Sequence, residues 1–263
     1  MTTQILARVP FAIVRTFAAL GLFLAASLGP AAAQDGAQLA VVAKDSTQGL
    51  SAYLQEKINT HGRPDYTKPP ASQYLQHILD ADAFAALPPP KATDIPWLLE
   101  WTASISQSYK MMLLFGATSD KDMKDTIVLN LTESEDAIMT AMALEVRFGS
   151  RMLTTMPLFM ASLPPEDPKK TEIRKAGVKR AERGLVETVQ GTSMTLSSAM
   201  RPNNALALAA ALRDTAPVWA PLTTADERRQ LLTLFKKASD ANVYPGVVSA
   251  LTTASATVSA VKN

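Results

Sequence analysis

The segment from residue 132 to 162 places one carboxylate on an otherwise apolar helical surface. At the spacing of an α-helix, Met142, Met152 and Met156 fall on the same side as Glu145. That side also carries Ile138, Phe159 and Met160. A carboxylate in apolar surroundings is desolvated, which raises its pKa unless a cation compensates. The pattern therefore predicts a polar group inside an apolar groove.

Gly149, one turn after Glu145, leaves space beside this carboxylate. The predicted ligand-binding residues are Met142, Glu145, Gly149, Met152 and Met156. Such a group suits a polar anchor in a pocket for an apolar ligand, or a general acid. Two alternatives remain open. Glu145 could pair with Arg201 or Arg213 from a neighbouring helix, or Gly149 could break the helix and leave Glu145 in water.

Three methionines in this segment suggest a second kind of site. Met152, Met156 and Met160 recur every four residues, so their thioethers align on one helix face. Thioethers are soft donors of the kind that selects Cu(I). Methionine also fills irregular cores, and no histidine lies nearby in the sequence. Copper handling is therefore kept as a weaker alternative to binding an apolar ligand.

Other patterns that support catalysis are missing or incomplete in the sequence. The chain has no cysteine, which removes disulfides, thiolate nucleophiles and cysteine-ligated metals. His77 and Asp80 offer only two metal donors, and the acidic run from Asp120 lacks the later ligands and the glycine of a calcium loop. No glycine-rich phosphate loop or G-x-S-x-G motif occurs. We therefore predict no cofactor and favour a non-enzymatic protein that binds an apolar small molecule or a protein partner. A hydrolase or lyase that uses Glu145 is the alternative.

Residues 169–183 concentrate positive charge. The seven cations are Lys169, Lys170, Arg174, Lys175, Lys179, Arg180 and Arg183. Such a face could contact anionic lipid headgroups, but acidic residues are interleaved with it, so a solvated outer surface is favoured. The whole chain carries a formal charge of only +2, which argues against a nucleic-acid partner.

Residues 1–33 have the pattern of a cleaved secretory signal peptide. Arg8 and Arg15 supply a positive start, residues 16–28 are apolar, and the alanines at 31–33 form a small-residue cleavage site. An uncleaved membrane anchor is the alternative. Cleavage would leave a domain of residues 34–263 that is formally neutral, with 24 basic and 24 acidic residues. We expect this domain in the periplasm, or alternatively in the medium, without stable insertion into a membrane.

The rest of the chain is predicted to be helical. The clearest amphipathic stripe runs from Trp97 through Trp101 to Met112, with Asp94 as the expected N-cap. Two capping boxes are expected, at Thr132/Glu135 and at Thr224/Glu227. In each, a threonine and the glutamate three residues later would cap the start of a helix.

Three segments have a less evident secondary structure. Residues 126–131 are too short to decide between strand and helix, and helix or turn is favoured because no partner strand is evident. Residues 203–213 are apolar nearly all round, as expected of a buried central helix. Residues 247–261 are rich in Thr and Val but keep helical spacing. The sequence thus predicts a single-domain, all-α bundle of seven or eight helices with short proline-containing connections.

Overall fold

The computed structural model describes residues 34–117, 119, 122–164, 168–196, 201–242 and 244–262. Its helices in chain order are α1 (Gln34–Asn59), α2 (Ala71–Ile78), α3 (Ala81–Ala85), α4 (Ile95–Leu113), α5 (Met123–Glu133), α6 (Glu135–Ser162), α7 (Pro168–Leu196), α8 (Pro202–Trp219), α9 (Ala225–Ala241) and α10 (Pro245–Ala260). No strand occurs in this part of the chain, so the predicted all-α class is confirmed. With short helices such as α3 included, the count exceeds the seven or eight predicted.

Helix α4 lies at the centre of the first half of the bundle, between α1 and α6. Its predicted stripe is buried, with Trp101, Ile105 and Met112 fully enclosed. Ser104 and Ser106, which lie off that stripe, are buried as well, whereas Ala103 and Gln107 are exposed. Small hydroxyl side chains allow neighbouring helices to approach closely.

An aromatic group joins α4 to α6 and to the short helices before it. The Trp101 ring meets Phe148 edge-on, with ring centroids 4.8 Å apart. Phe84 contacts the same phenylalanine from α3 at 4.3 Å. The indole N–H of Trp101 donates to the carbonyl oxygen of Ile78 at 2.9 Å. These contacts tie the end of α2, α3, α4 and α6 into one core.

The second half of the bundle is organised around α8, which packs against α6, α7 and α10. One side of α8 is buried, and Trp219 at its end meets Phe235 of α9 edge-on at 6.3 Å. The expectation that residues 203–213 would be enclosed nearly all round is only partly met, because Leu206 is 43% exposed. Helix α8 therefore packs against its neighbours over most of its surface and leaves a strip that includes Leu206 exposed.

One predicted helix start differs from the structure, and another is met only in position. Thr132 lies inside α5, and α6 begins at Glu135, so these two residues form no capping box. Asp94 occupies the N-cap position of α4 as predicted, but its side chain makes no capping hydrogen bond to that helix. Its carboxylate accepts instead from the backbone N–H of Lys91 at 2.9 Å and from the indole N–H of Trp97 at 3.3 Å.

Several other local predictions are confirmed. Residues 126–131 lie within α5, and the Thr- and Val-rich tail forms α10. The capping box at the start of α9 is present, since Thr224 N–H donates to Glu227 Oε2 at 2.8 Å and Glu227 N–H donates to Thr224 Oγ1 at 3.3 Å. Each of these features depends on residues close together in the sequence.

The predicted signal peptide, residues 1–33, lies outside the described residues. Within the described ranges, no helix combines the length and the apolar character needed to cross a bilayer.

Candidate functional site

Glu145 is enclosed at the interface between α4 and α6, with 4% of its surface exposed. One oxygen of its carboxyl group, Oε1, accepts a hydrogen bond from the hydroxyl of Ser106 on α4 at 2.5 Å. Lys110, one turn further along α4, acts on the carboxyl group electrostatically without an ion pair among the described contacts. The carboxyl group is therefore held by a neutral donor in a packed core.

Burial raises the pKa of Glu145 from 4.5 to about 7. The dominant cause is desolvation, which penalises the charged form. The Ser106 hydrogen bond and the positive charge of Lys110 act in the opposite direction but do not cancel it. Burial also raises the pKa of Tyr109, and the negative charge of Glu145 adds to that rise. The pKa of Glu145 is thus raised, as expected for a carboxylate on this apolar helix face.

Neither alternative environment for Glu145 is found. Arg201 forms an ion pair with Asp136, and Arg213 forms one with Asp214 at 2.6 Å. Helix α6 runs without interruption past Gly149, which is itself buried, so Glu145 is not released into water. Both arginine pairing and helix breakage were therefore wrong as predictions for this carboxylate.

The three methionines among the five predicted ligand-binding residues lie in two different hydrophobic cores. Met142 belongs to the main hydrophobic core, as do neighbouring residues of α4. Met152 and Met156 belong to a separate, smaller core with Ile95, Phe159 and Ala181. The reason is that α6 spans 28 residues and meets different partners along its length. The predicted residues lie along one face of α6, but different helices pack against different parts of that face.

A cavity of about 230 Å³ lies where α6, α7 and the end of α8 meet. Its lining residues are Leu153, Met156, Pro157, Met160, Val178, Glu182, Val218 and Leu222. Of the five predicted residues, Met156 lines this cavity and Glu145 does not. Because Pro157 is exposed and Glu182 is half-buried, the cavity opens toward solvent on that side.

Sequence reasoning missed the contributions of α7 and α8 to this cavity. Val178 and Glu182 are one turn apart on α7, and Val218 lies near the end of α8. Nothing in the local sequence marks them, because each resembles an ordinary half-buried helix position. Only the packing of three helices far apart in the sequence brings them together.

The methionines proposed as copper ligands are divided between two environments. Met156 and Met160 line the cavity, whereas Met152 is fully enclosed in the smaller core beside it. Copper handling therefore remains a prediction. Among the described residues, no group of three or more His, Asp or Glu side chains is placed to hold a metal ion.

Part of the positive charge on α7 is paired in the structure. Lys175 forms an ion pair with Glu172 at 2.9 Å. Arg183 pairs with Glu187 at 3.2 Å and also with Glu227 on α9. The side chains of the first two lysines in the 169–183 run lie outside the described part. A contact between this face and anionic lipid stays a prediction.

Searches against protein-family models, curated proteins and solved structures find no match for this chain. Function is therefore inferred from the geometry of the described residues and from the sequence.

Proposed function

We propose that this chain is an exported helical protein that binds a small apolar ligand without chemical conversion. The observation that supports the proposal is the cavity between α6, α7 and the end of α8, whose lining is apolar except for Glu182. Ligand sites are typically concave, mostly apolar and equipped with a few polar groups that orient the ligand. Export is proposed from the signal-peptide pattern of residues 1–33.

The size of the cavity limits the ligand. An apolar protein cavity of about 150 Å³ admits benzene, and drug-sized sites begin at about 300 Å³. A volume of about 230 Å³ lies between these limits. We infer a ligand with one aromatic ring or a short branched chain. At about −0.5 kcal/mol for each of roughly nine non-hydrogen atoms, such a ligand would bind with a Kd on the order of 0.1–1 mM.

Filling the cavity should abolish binding. Val178 lines it and is half-buried, so the larger side chain in Val178→Phe is expected to fill part of the cavity. With propylbenzene as the probe, saturation-transfer NMR should detect binding to the unmodified protein. Affinity should fall at least roughly tenfold in the variant, because the ring occupies the volume that the probe needs.

A matched control lies on the same helix. Ile173 is 59% exposed and outside the cavity, so Ile173→Phe adds an aromatic ring to another β-branched position of α7 without reducing the cavity. It should bind propylbenzene like the unmodified protein. Equal binding by both variants, with circular dichroism showing intact helices, would remove this cavity as the site. Absence of propylbenzene binding by the unmodified protein would refute the proposed function.

Export makes a separate prediction. When the full chain is expressed in a bacterial host, the periplasmic fraction should contain a product that begins at Gln34, because cleavage follows the alanines at 31–33. Intact-mass spectrometry identifies this N-terminus. Replacing residues 18–24 with a charged segment should retain the uncleaved chain in the cytoplasm. Recovery of the unmodified full-length chain from the membrane fraction would instead support the anchor alternative.

A hydrolase or lyase is the second candidate, and the environment of Glu145 favours it. A carboxylic acid with a pKa of about 7 is suited to proton transfer near neutral pH. Its partner Ser106 is also buried, with 8% of its surface exposed, and both side chains lie between packed helices. A substrate would have to open the α4–α6 interface, whereas the cavity at Glu182 is already formed.

A further inference from the structure

We propose that the cavity prefers small organic cations, in which an ammonium group is attached to an apolar body, over neutral or anionic ligands of similar shape. This inference rests on the proposed function and specifies the class of ligand for the same site. It is carried by Glu182, whose carboxylate is the one charged group among eight lining residues. The other seven are aliphatic side chains, methionines and a proline.

Within the described part of the chain, no ion pair involves Glu182. The nearest arginine in sequence, Arg183, is engaged by Glu187 at 3.2 Å and by Glu227. Lys175, on the same helix, is engaged by Glu172 at 2.9 Å. Glu182 is half-buried and is one of the residues that line the cavity. Its negative charge is therefore left to interact with whatever occupies the cavity.

The apolar walls increase the effect of this charge. Attraction between opposite charges grows as the effective dielectric constant falls, and the apolar lining of the cavity lowers that constant around a half-buried Glu182. An ammonium ligand and a carboxylate ligand must both be partly desolvated, but the ammonium group is attracted to Glu182 whereas the carboxylate is repelled. Burial of the apolar body contributes equally to the binding of cationic, neutral and anionic ligands of similar shape. The difference in affinity among the three is therefore set by the charge of the ligand.

The methionines explain why the shape of the apolar body matters less. Met156 and Met160 are unbranched, and each has several rotatable bonds. Such side chains adapt to ligands of different outline. A site with adaptable walls and one fixed charge discriminates by charge more strongly than by shape.

Three probes that share a phenyl ring and differ in charge test the inference. They are 2-phenylethylammonium, propylbenzene and 3-phenylpropanoate, measured by saturation-transfer NMR at pH 7 with the full mature chain. We expect 2-phenylethylammonium to bind roughly tenfold more tightly than propylbenzene, and 3-phenylpropanoate to bind more weakly than either. In Glu182→Gln this preference should collapse to about equal affinity for the cationic and neutral probes.

The control substitution is Glu56→Gln, which removes a negative charge at an exposed position of α1 that lies outside the cavity. It should retain the tenfold preference. If propylbenzene binds but the cation binds no more tightly, or if Glu56→Gln and Glu182→Gln lose the preference equally, the inference is refuted and the proposed function stands. If propylbenzene fails to bind the unmodified protein, both are refuted.

Discussion

Glu145→Gln is expected to stabilise the protein at alkaline pH by about 3 kcal/mol. The native state raises the pKa of this residue from 4.5 to about 7, so the folded protein holds the proton more tightly than the unfolded chain. As pH rises from about 4.5 to 7, the unfolded chain loses this proton first, and the stability of the native state falls. Above pH 7 the whole cost of the buried charge is present. Glutamine is neutral at every pH and can still accept from Ser106.

Urea denaturation between pH 4.5 and 9 measures this effect as the difference in the free energy of unfolding between variant and unmodified protein. The difference should be small at pH 4.5, grow through pH 7 and then level off. Glu172→Gln is the control, because Glu172 is exposed and its hydrogen bond and ion pair with Lys175 lower its pKa, the direction opposite to that of Glu145. If the curves for Glu145→Gln and the unmodified protein run parallel, Glu145 is not a buried neutral acid.

The same variant separates the two candidate functions. Loss of a general acid or base lowers turnover by a factor of about 10² to 10⁴. If the unmodified protein hydrolyses p-nitrophenyl esters and Glu145→Gln abolishes that activity while its helices persist, the enzymatic alternative is supported. If Glu145 serves only packing, Glu145→Gln should bind propylbenzene like the unmodified protein, since Glu145 does not line the cavity.

Trp101→Ala is expected to lower the free energy of unfolding by about 4 kcal/mol. The Trp101 side chain is fully buried and packs edge-on against Phe148. Its removal loses the buried apolar surface and leaves a hole that the surrounding helices can fill only in part. It also leaves the Ile78 carbonyl oxygen without the indole donor that reaches it at 2.9 Å. Few domains have a free energy of unfolding above about 15 kcal/mol, so a loss of about 4 kcal/mol is a large fraction of the total stability.

Chemical denaturation followed by circular dichroism measures the loss. Leu158→Ala is the control, because Leu158 is 48% exposed on α6 and its truncation should change stability by no more than about 0.5 kcal/mol. Trp101→Phe provides a milder variant that should fold even if the alanine variant does not, with a loss of roughly half the size. A loss below about 1 kcal/mol for Trp101→Ala would contradict the central position of this residue.

Local sequence patterns predicted the helices better than their ends. The stripe through Trp101 and the helical spacing near Val258 predicted α4 and α10, because a buried helix face repeats every three or four residues. The box at Thr224 was also predictable, since both partners lie within one turn. The Thr132 box failed because Glu135 has a stronger tertiary role. Its Oε1 accepts from the backbone N–H of Arg201 at 2.9 Å, at the start of α8.

Residue periodicity was enough to predict a helical protein and to identify Glu145 as a carboxylate on an apolar helix face. Only the packing of the helices shows that Ser106, 39 residues earlier, donates to this carboxyl group and that the cavity lies elsewhere, beside Glu182. The two kinds of feature differ because they depend on interactions of different range. Helical periodicity arises between residues three or four positions apart, whereas the surroundings of a side chain are set by whichever helices pack against it.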